Sequence, residues 1–220
     1  LEFAKKSARP ENEKGILLTP INRKIEEDRI TYDNVSIEFK RQTRIVNLTI
    51  HAPKGDLPTT TESILEAGAN YWPLAMAREL DDAIMHLSFN ELELGTWVLR
   101  TSGDADQVFA IDQTLVQNQD YWLVREIILN LKRVFKRLDL VSRSLVALIE
   151  PGSCFTGTLL ELVLAADRSY MLDGSFEDSD DDPAMLRPTE MNFGALPMCN
   201  DLTRIQTRFI DDIENVENIR

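Results

Sequence analysis

Hydrophobic and polar residues alternate in two stretches near the start of the chain. The first carries apolar side chains at Ile30, Tyr32, Val35, Ile37 and Phe39, and the second at Val46, Leu48 and Ile50. Alternation of this kind places the apolar side chains on one face of a β-strand. The polar segment 41–43 separates the two stretches. The pattern therefore predicts two antiparallel strands that bury one face.

Farther along the chain the apolar residues recur every three or four positions. The stripe Leu74, Ala77, Leu80, Ile84 and Leu87 predicts a helix over 73–87, and similar spacing predicts helices over 121–138 and 202–210. Short apolar runs predict strands at 96–101, 145–149 and 168–172. Strands that alternate with helices indicate an α/β layered fold.

One acidic residue lies in a segment that is otherwise almost entirely apolar. After the strand at 145–149, Pro151 and Gly152 break the chain, and a helix follows over 158–166. Glu161 is the only charged residue of that helix, and no cation lies one helical turn away from it. A buried carboxyl must be paired, hydrogen-bonded or protonated. Glu161 is therefore either a core glutamate with satisfied hydrogen bonds or a functional acid.

Length and composition are those of one globular domain. The 220 residues are 43% hydrophobic, and we expect a domain over 25–220 after a linker or extended arm at 1–24. The first methionine is Met76, so we expect the chain to be a piece of a longer protein. The two cysteines, Cys154 and Cys199, have no metal-binding or redox spacing. A reducing cytoplasm is the expected compartment.

The net charge of −13 argues against nucleic acid and anionic membranes as partners. Part of this charge lies in the acidic stretch 173–182, which predicts an exposed loop. The helix at 121–138 nevertheless concentrates positive charge at Arg125, Lys132, Arg133, Lys136 and Arg137. This cluster is either a solvated helix face or a cradle for the phosphates of an anionic ligand.

Two segments together resemble the crotonase (enoyl-CoA hydratase/isomerase) superfamily. The segment 161–167, Glu-Leu-Val-Leu-Ala-Ala-Asp, is similar to the helix that follows the family's glycine-rich loop. The segment 188–197, Pro-Thr-Glu-Met-Asn-Phe-Gly-Ala-Leu-Pro, is similar to a second family motif. The resemblance implies a crotonase-like (ClpP/crotonase) spiral of layered sheet and helices. It also implies an acyl-CoA substrate whose enolate is stabilised, with coenzyme A as part of the substrate and no other cofactor or metal.

By this resemblance Glu161 and Glu190 stand where the family has its two acid/base glutamates. Glu190 can also be a surface glutamate. The two backbone N–H donors to the oxyanion would come from Thr158 and Ala110. The sequence departs from the family at both places, because only Gly157 remains of the glycine-rich run and Phe-Ala-Ile-Asp-Gln at 109–113 replaces the first donor loop.

Longer strings resemble one branch of carbon–carbon lyases in the same superfamily, namely 71–84, 90–92, 95–98, 121–126 and 149–155. This resemblance implies the C-terminal crotonase-like half of an enzyme that opens the oxygenated, non-aromatic ring of a benzoyl-CoA derivative and releases formate in aerobic benzoate degradation. The implied partners are an N-terminal crotonase-like half and further copies in a homo-oligomer. We expect the isolated segment to be inactive. Two alternatives stay open: a non-catalytic half that supports the other half or a dimer, and an enoyl-CoA hydratase/isomerase.

Overall fold

A computed structural model describes residues 2, 6, 15–174, 176 and 183–220. Half of the predicted arm at 1–24 and most of the acidic stretch 173–182 therefore lie outside the described residues. The predictions for those two segments stay predictions.

The described residues form a seven-stranded sheet, and its strands are ordered as they occur in the chain. The strands are β1 Lys24–Ile25, β2 Arg29–Thr31, β3 Val35–Lys40, β4 Ile45–His51, β5 Thr96–Ser102, β6 Ser144–Ile149 and β7 Arg168–Met171. Neighbouring strands from β1 to β4 are antiparallel, and those from β4 to β7 are parallel. The sheet is therefore mixed.

The hairpin of β3 and β4 follows the alternation in the sequence. Its register pairs Ile37 with Leu48 and Phe39 with Val46, so that apolar side chains share one face. All four of these side chains are buried. Arg44 adopts a left-handed conformation at the turn (φ 56°). The predicted antiparallel pair is confirmed for β3 and β4, whereas the first alternating stretch divides into two strands, β2 and β3, which also pair in antiparallel fashion.

Helices connect the parallel strands and cover one face of the sheet. The connecting helices are α1 Thr61–Ala67, α2 Trp72–Asn90, α3 Ala105–Gln117, α4 Trp122–Leu138 and α5 Leu160–Ala165, and two further helices, α6 Arg204–Arg208 and α7 Glu214–Ile219, follow β7. Helices α2 and α4 pack against each other and bury the apolar stripes predicted from the sequence. With strands and helices alternating in two layers, the predicted α/β class is confirmed.

The two faces of the sheet differ in polarity. Trp97, Leu99 and Ala147 on the covered face are fully buried. Asn47, Thr49 and Arg100 on the opposite face are half-buried. In the described part of the chain, the helices are all too short or too polar to cross a membrane.

Helix α3 lies where the family resemblance predicts a loop. The family resemblance predicts that 109–113 is a loop that donates a backbone N–H group, but this segment lies inside the helix. Asp104 caps the helix by accepting a hydrogen bond from the amide of Asp106 (2.8 Å). Val108, Ile111 and Leu115 are buried at helical spacing. The same face carries Asp112 into the protein.

Candidate functional site

The two sequence motifs meet at the start of helix α5. A 3-10 turn over Gly157–Leu159 leads into the helix. The amide of Gly157 donates a hydrogen bond to the carbonyl of Arg187 (2.8 Å), which directly precedes the second motif. Thr156 and Arg187 form a short parallel bridge. Residues about 30 positions apart in the chain therefore build one site.

Asp112 is the acid at the centre of this site. Its Oδ2 accepts hydrogen bonds from the amide of Thr158 (2.7 Å) and from the hydroxyl of Thr189 (2.7 Å). Its Oδ1 accepts one from the hydroxyl of Thr158 (2.6 Å). Each of these three donors is electrically neutral. They form a cradle that holds one carboxylate, and we call it the Thr158–Thr189 cradle.

The cradle is closed to solvent and tightly packed. Asp112 is 0% exposed, and burial raises its pKa to about 6 against the opposing effect of the three hydrogen bonds. Gly157 has a positive φ of 47°. A Cβ atom there would overlap the carboxylate of Asp112 and approach Oγ1 of Thr189 to 2.5 Å. Glycine at 157 is therefore what lets Asp112 reach the amide of Thr158.

Glu161 lies in the same region but has different partners. One of its oxygens accepts a hydrogen bond from Arg204 (2.6 Å), and the other accepts one from the side-chain amide of Asn192 (2.6 Å). Glu161 and Arg204 are both almost completely buried. Burial raises the pKa of Glu161 to about 7, while Arg204 and Asn192 oppose the rise. These are the contacts of a buried ion pair.

Arg204 joins two acids from different parts of the chain. Its guanidinium also donates two hydrogen bonds to Asp139, of 2.9 Å and 2.6 Å, at the end of helix α4. This fork matches the two oxygens of a carboxylate. Glu161, Arg204 and Asp139 therefore tie α5, α6 and the end of α4 together.

Asn192 connects this ion cluster to the cradle. Its side-chain amide donates to Glu161 and to the carbonyl of Gly157 (2.9 Å), and its side-chain oxygen accepts from the amide of Thr189 (2.9 Å). The second motif thus contributes Thr189 and Asn192, rather than Glu190, to the buried network.

The predicted site residues do not all meet. Glu161 and Thr158 lie in adjacent turns and are buried. Glu190 is exposed and pairs with Arg220 (2.7 Å), which lowers the pKa of Glu190. Ala110 lies inside α3, where its amide belongs to the helix. The N–H group of Thr158 donates its hydrogen bond to Asp112. The catalytic roles of Glu161 and Glu190 stay predictions.

A cavity of about 360 Å³ borders the cradle. It is lined by residues of α3 and of the second motif, among them Phe109, Asp112, Gln113 and Thr189, and by Arg220 at the end of the sequence. Glu161 does not line it. Within the described residues, histidine, cysteine, aspartate and glutamate form no group of three or more that could hold a metal ion.

The basic cluster of α4 has partners of its own. Arg137 forms an ion pair with Asp81 of α2 (2.7 Å), and Arg133 approaches the same carboxylate to 3.5 Å. Arg125 and Arg133 are exposed. These ion pairs favour the first interpretation of the cluster, a solvated helix face, which here is linked to α2 through Asp81.

A curated relative resembles the chain over nearly its whole length. The chain is 47% identical over 210 residues to benzoyl-CoA-dihydrodiol lyase of Aromatoleum evansii. The match covers 96% of this chain and 37% of that protein, so the chain spans little more than a third of its relative. The resemblance that the longer sequence strings indicated is confirmed. No family model matches the chain.

Solved structures of enoyl-CoA hydratases resemble parts of the chain more distantly. An enoyl-CoA hydratase of Geobacillus kaustophilus HTA426 is 13% identical, with a TM-score of 0.40 over 69% of this chain and 48% of that one. An enoyl-CoA hydratase/isomerase of Xanthobacter autotrophicus Py2 is 16% identical, with a TM-score of 0.41 over 63% of this chain and 46% of that one.

Proposed function

We propose that the chain is part of a benzoyl-CoA-dihydrodiol lyase, a carbon–carbon lyase that acts on a coenzyme A thioester. The single observation that supports this proposal is the 47% identity along 96% of the chain. The reaction we propose for the whole protein opens the oxygenated, non-aromatic ring of a benzoyl-CoA derivative and releases formate.

The geometry around Asp112 argues that this segment does not carry out that reaction by itself. Stabilising the oxyanion of an enolate requires N–H donors that point at the thioester oxygen in a dry pocket. In this chain the amide of Thr158 donates to Asp112. A thioester oxygen cannot accept the same hydrogen bond while the carboxylate is in place. A carboxylate at this position would also repel a developing oxyanion.

We therefore propose that the segment supports catalysis by another part of the protein. The ion cluster of Glu161, Arg204 and Asp139 gives it a rigid interior, and an N-terminal crotonase-like half is the partner we propose. The same proposal includes assembly of the protein into a homo-oligomer.

Formate release from the dihydrodiol of benzoyl-CoA tests the function. We expect release from a protein that carries this chain together with the part of the lyase it does not span, and none from the 220 residues alone. Robust release from the 220 residues alone would refute the proposed inactivity. Hydration of crotonyl-CoA by the larger protein, without formate release, would establish the hydratase alternative instead.

A cytoplasmic location belongs to this proposal. Both cysteines are free, Cys154 in the interior and Cys199 on the surface. Free thiols are typical of a reducing compartment.

A further inference from the structure

Asp112 has surroundings that are unusual for a buried acid. Buried carboxylates are commonly matched by a cation, as Glu161 is by Arg204. The carboxylate of Asp112 is instead held by one backbone N–H group and two hydroxyl groups. Neutral donors that converge on a small volume are the means by which proteins bind carboxylates and oxyanions without an ion pair.

The donors are fixed by contacts other than those with Asp112. Thr189 is held by a reciprocal pair of hydrogen bonds with Asn192 at the start of the 3-10 turn Glu190–Phe193. Thr158 lies in the buried turn before α5, and the carbonyl of Gly157 is held by Asn192. The cradle therefore has support that does not depend on the side chain at 112.

The carboxylate arrives from another element. Asp112 belongs to α3, 46 residues before Thr158 and 77 before Thr189. Gly157 leaves room for the carboxylate and for nothing larger, because even a Cβ atom there would overlap it. A cavity of about 360 Å³ borders the same place, and Asp112 and Thr189 belong to its lining.

We infer that Asp112 is an internal ligand of a carboxylate-binding site formed by Thr158 and Thr189. Removal of its side chain leaves a site that takes small monocarboxylates such as acetate and formate. One consequence rests on the proposed function: in the lyase, the internal ligand keeps a thioester carbonyl away from this segment.

Thermal unfolding of the purified protein at pH 7 tests the inference, with acetate or formate replacing chloride at constant ionic strength. The Asp112→Ala variant is expected to unfold at a lower temperature than the wild type. Acetate is expected to raise its midpoint in proportion to the logarithm of its concentration above the dissociation constant, by roughly 3–5 °C at ten times that constant. The wild type is expected to show no such rise, because its site is filled.

Two variants separate site binding from general salt effects. Leu115→Ala removes an apolar side chain that is buried in the same helix, and it creates no polar cradle. Its midpoint should not depend on acetate beyond the chloride control. Adding Thr158→Val to Asp112→Ala removes one donor and should weaken the acetate effect severalfold. An equal acetate response in Leu115→Ala and Asp112→Ala, or none in Asp112→Ala, would overturn the inference.

A measurement on folded protein covers the case in which Asp112→Ala does not fold. In Asp112→Asn the charge is lost but the shape is kept, so the amide proton resonance of Thr158 should move upfield. An unchanged resonance would overturn the inference. These readouts do not involve turnover: failure of the acetate response leaves formate release untouched, and failure of formate release leaves the carboxylate site in place.

Discussion

Glu161 and Arg204 form an ion pair of 2.6 Å in the protein interior, where each side chain is only 1% exposed. Asp139 binds the same guanidinium from its other side. Removing one partner of such a cluster leaves charges that have lost their solvation and their counter-charge. The pair is therefore a point at which the protein is sensitive to single substitutions.

Replacing Arg204 by methionine tests this sensitivity. We expect Arg204→Met to lower the free energy of unfolding by about 3–5 kcal/mol, because the buried Glu161 and the partly buried Asp139 lose their partner. Urea denaturation measures the change. Arg133→Met is the matched control, since Arg133 is exposed and its loss should cost less than about 1 kcal/mol. Equal losses in the two variants would contradict a structural role for Arg204.

Replacing Glu161 by glutamine separates structure from catalysis. From the contacts with Arg204 and Asn192 we expect Glu161→Gln to cost about 1–3 kcal/mol of stability and to leave the turnover of the folded enzyme unchanged. Formate release and urea denaturation are measured on the same preparation. Glu190→Gln at the surface should change neither. A loss of kcat of about 100-fold or more in Glu161→Gln, with unchanged stability, would instead establish the predicted acid–base role.

The pKa of Asp112 predicts how stability depends on pH. Burial raises this pKa from 3.8 to about 6, so the folded state binds a proton more tightly than the unfolded state. The corresponding stability is fully present below pH 3.8 and is lost as the pH rises through about 6. Relative to Asp112→Asn, the wild type should therefore lose roughly 2–3 kcal/mol between about pH 4 and about pH 7.

Urea denaturation at a series of pH values measures that difference directly. Comparison with Asp112→Asn cancels the contribution of Glu161, whose pKa is also raised. If the wild type gained stability over the variant with rising pH, the three hydrogen bonds would outweigh burial, and the pKa of Asp112 would be lowered rather than raised.

The space beside Gly157 predicts a strong effect of one methyl group. Gly157→Ala should destabilise the protein by at least about 2 kcal/mol, because the residue has a positive φ and its Cβ atom would overlap Asp112. Gly194→Ala is the control, since its Cβ atom would meet nothing within 4 Å. In a double-mutant cycle, Asp112→Ala should relieve part of the cost of Gly157→Ala. Strict additivity of the two changes would contradict the overlap.

The fold is predictable where the pattern is periodic. The alternation of Val46, Leu48 and Ile50 and the stripe of Leu80, Ile84 and Leu87 each indicate one buried face, and local spacing is enough to identify such faces. Helix α3 carries the same signal at Val108, Ile111 and Leu115 and the cap Asp104. The spacing of these apolar residues indicates the helix, although the family resemblance predicts a loop at 109–113.

The site is predictable only in part. The apolar surroundings of Glu161 in the sequence indicate a buried acid that needs a partner, but they cannot identify Arg204, which is 43 residues away. Asp112 lies between two buried positions of one helix, which marks it as a second buried acid. Its position against Thr158 depends on how α3 packs on the turn before α5, and no local pattern contains that information.

Among the residues that the structure describes, every strand of the sheet pairs only with strands that precede or follow it directly in the chain. Opening of β7 therefore breaks its contacts with β6 and leaves the rest of the sheet intact. Separation of β4 from β5 instead requires the middle of the molecule to come apart. The protein should thus open from its outer strands inwards, so that β7, whose residues are exposed, separates from the sheet before Leu48 and Leu99 at the centre reach water.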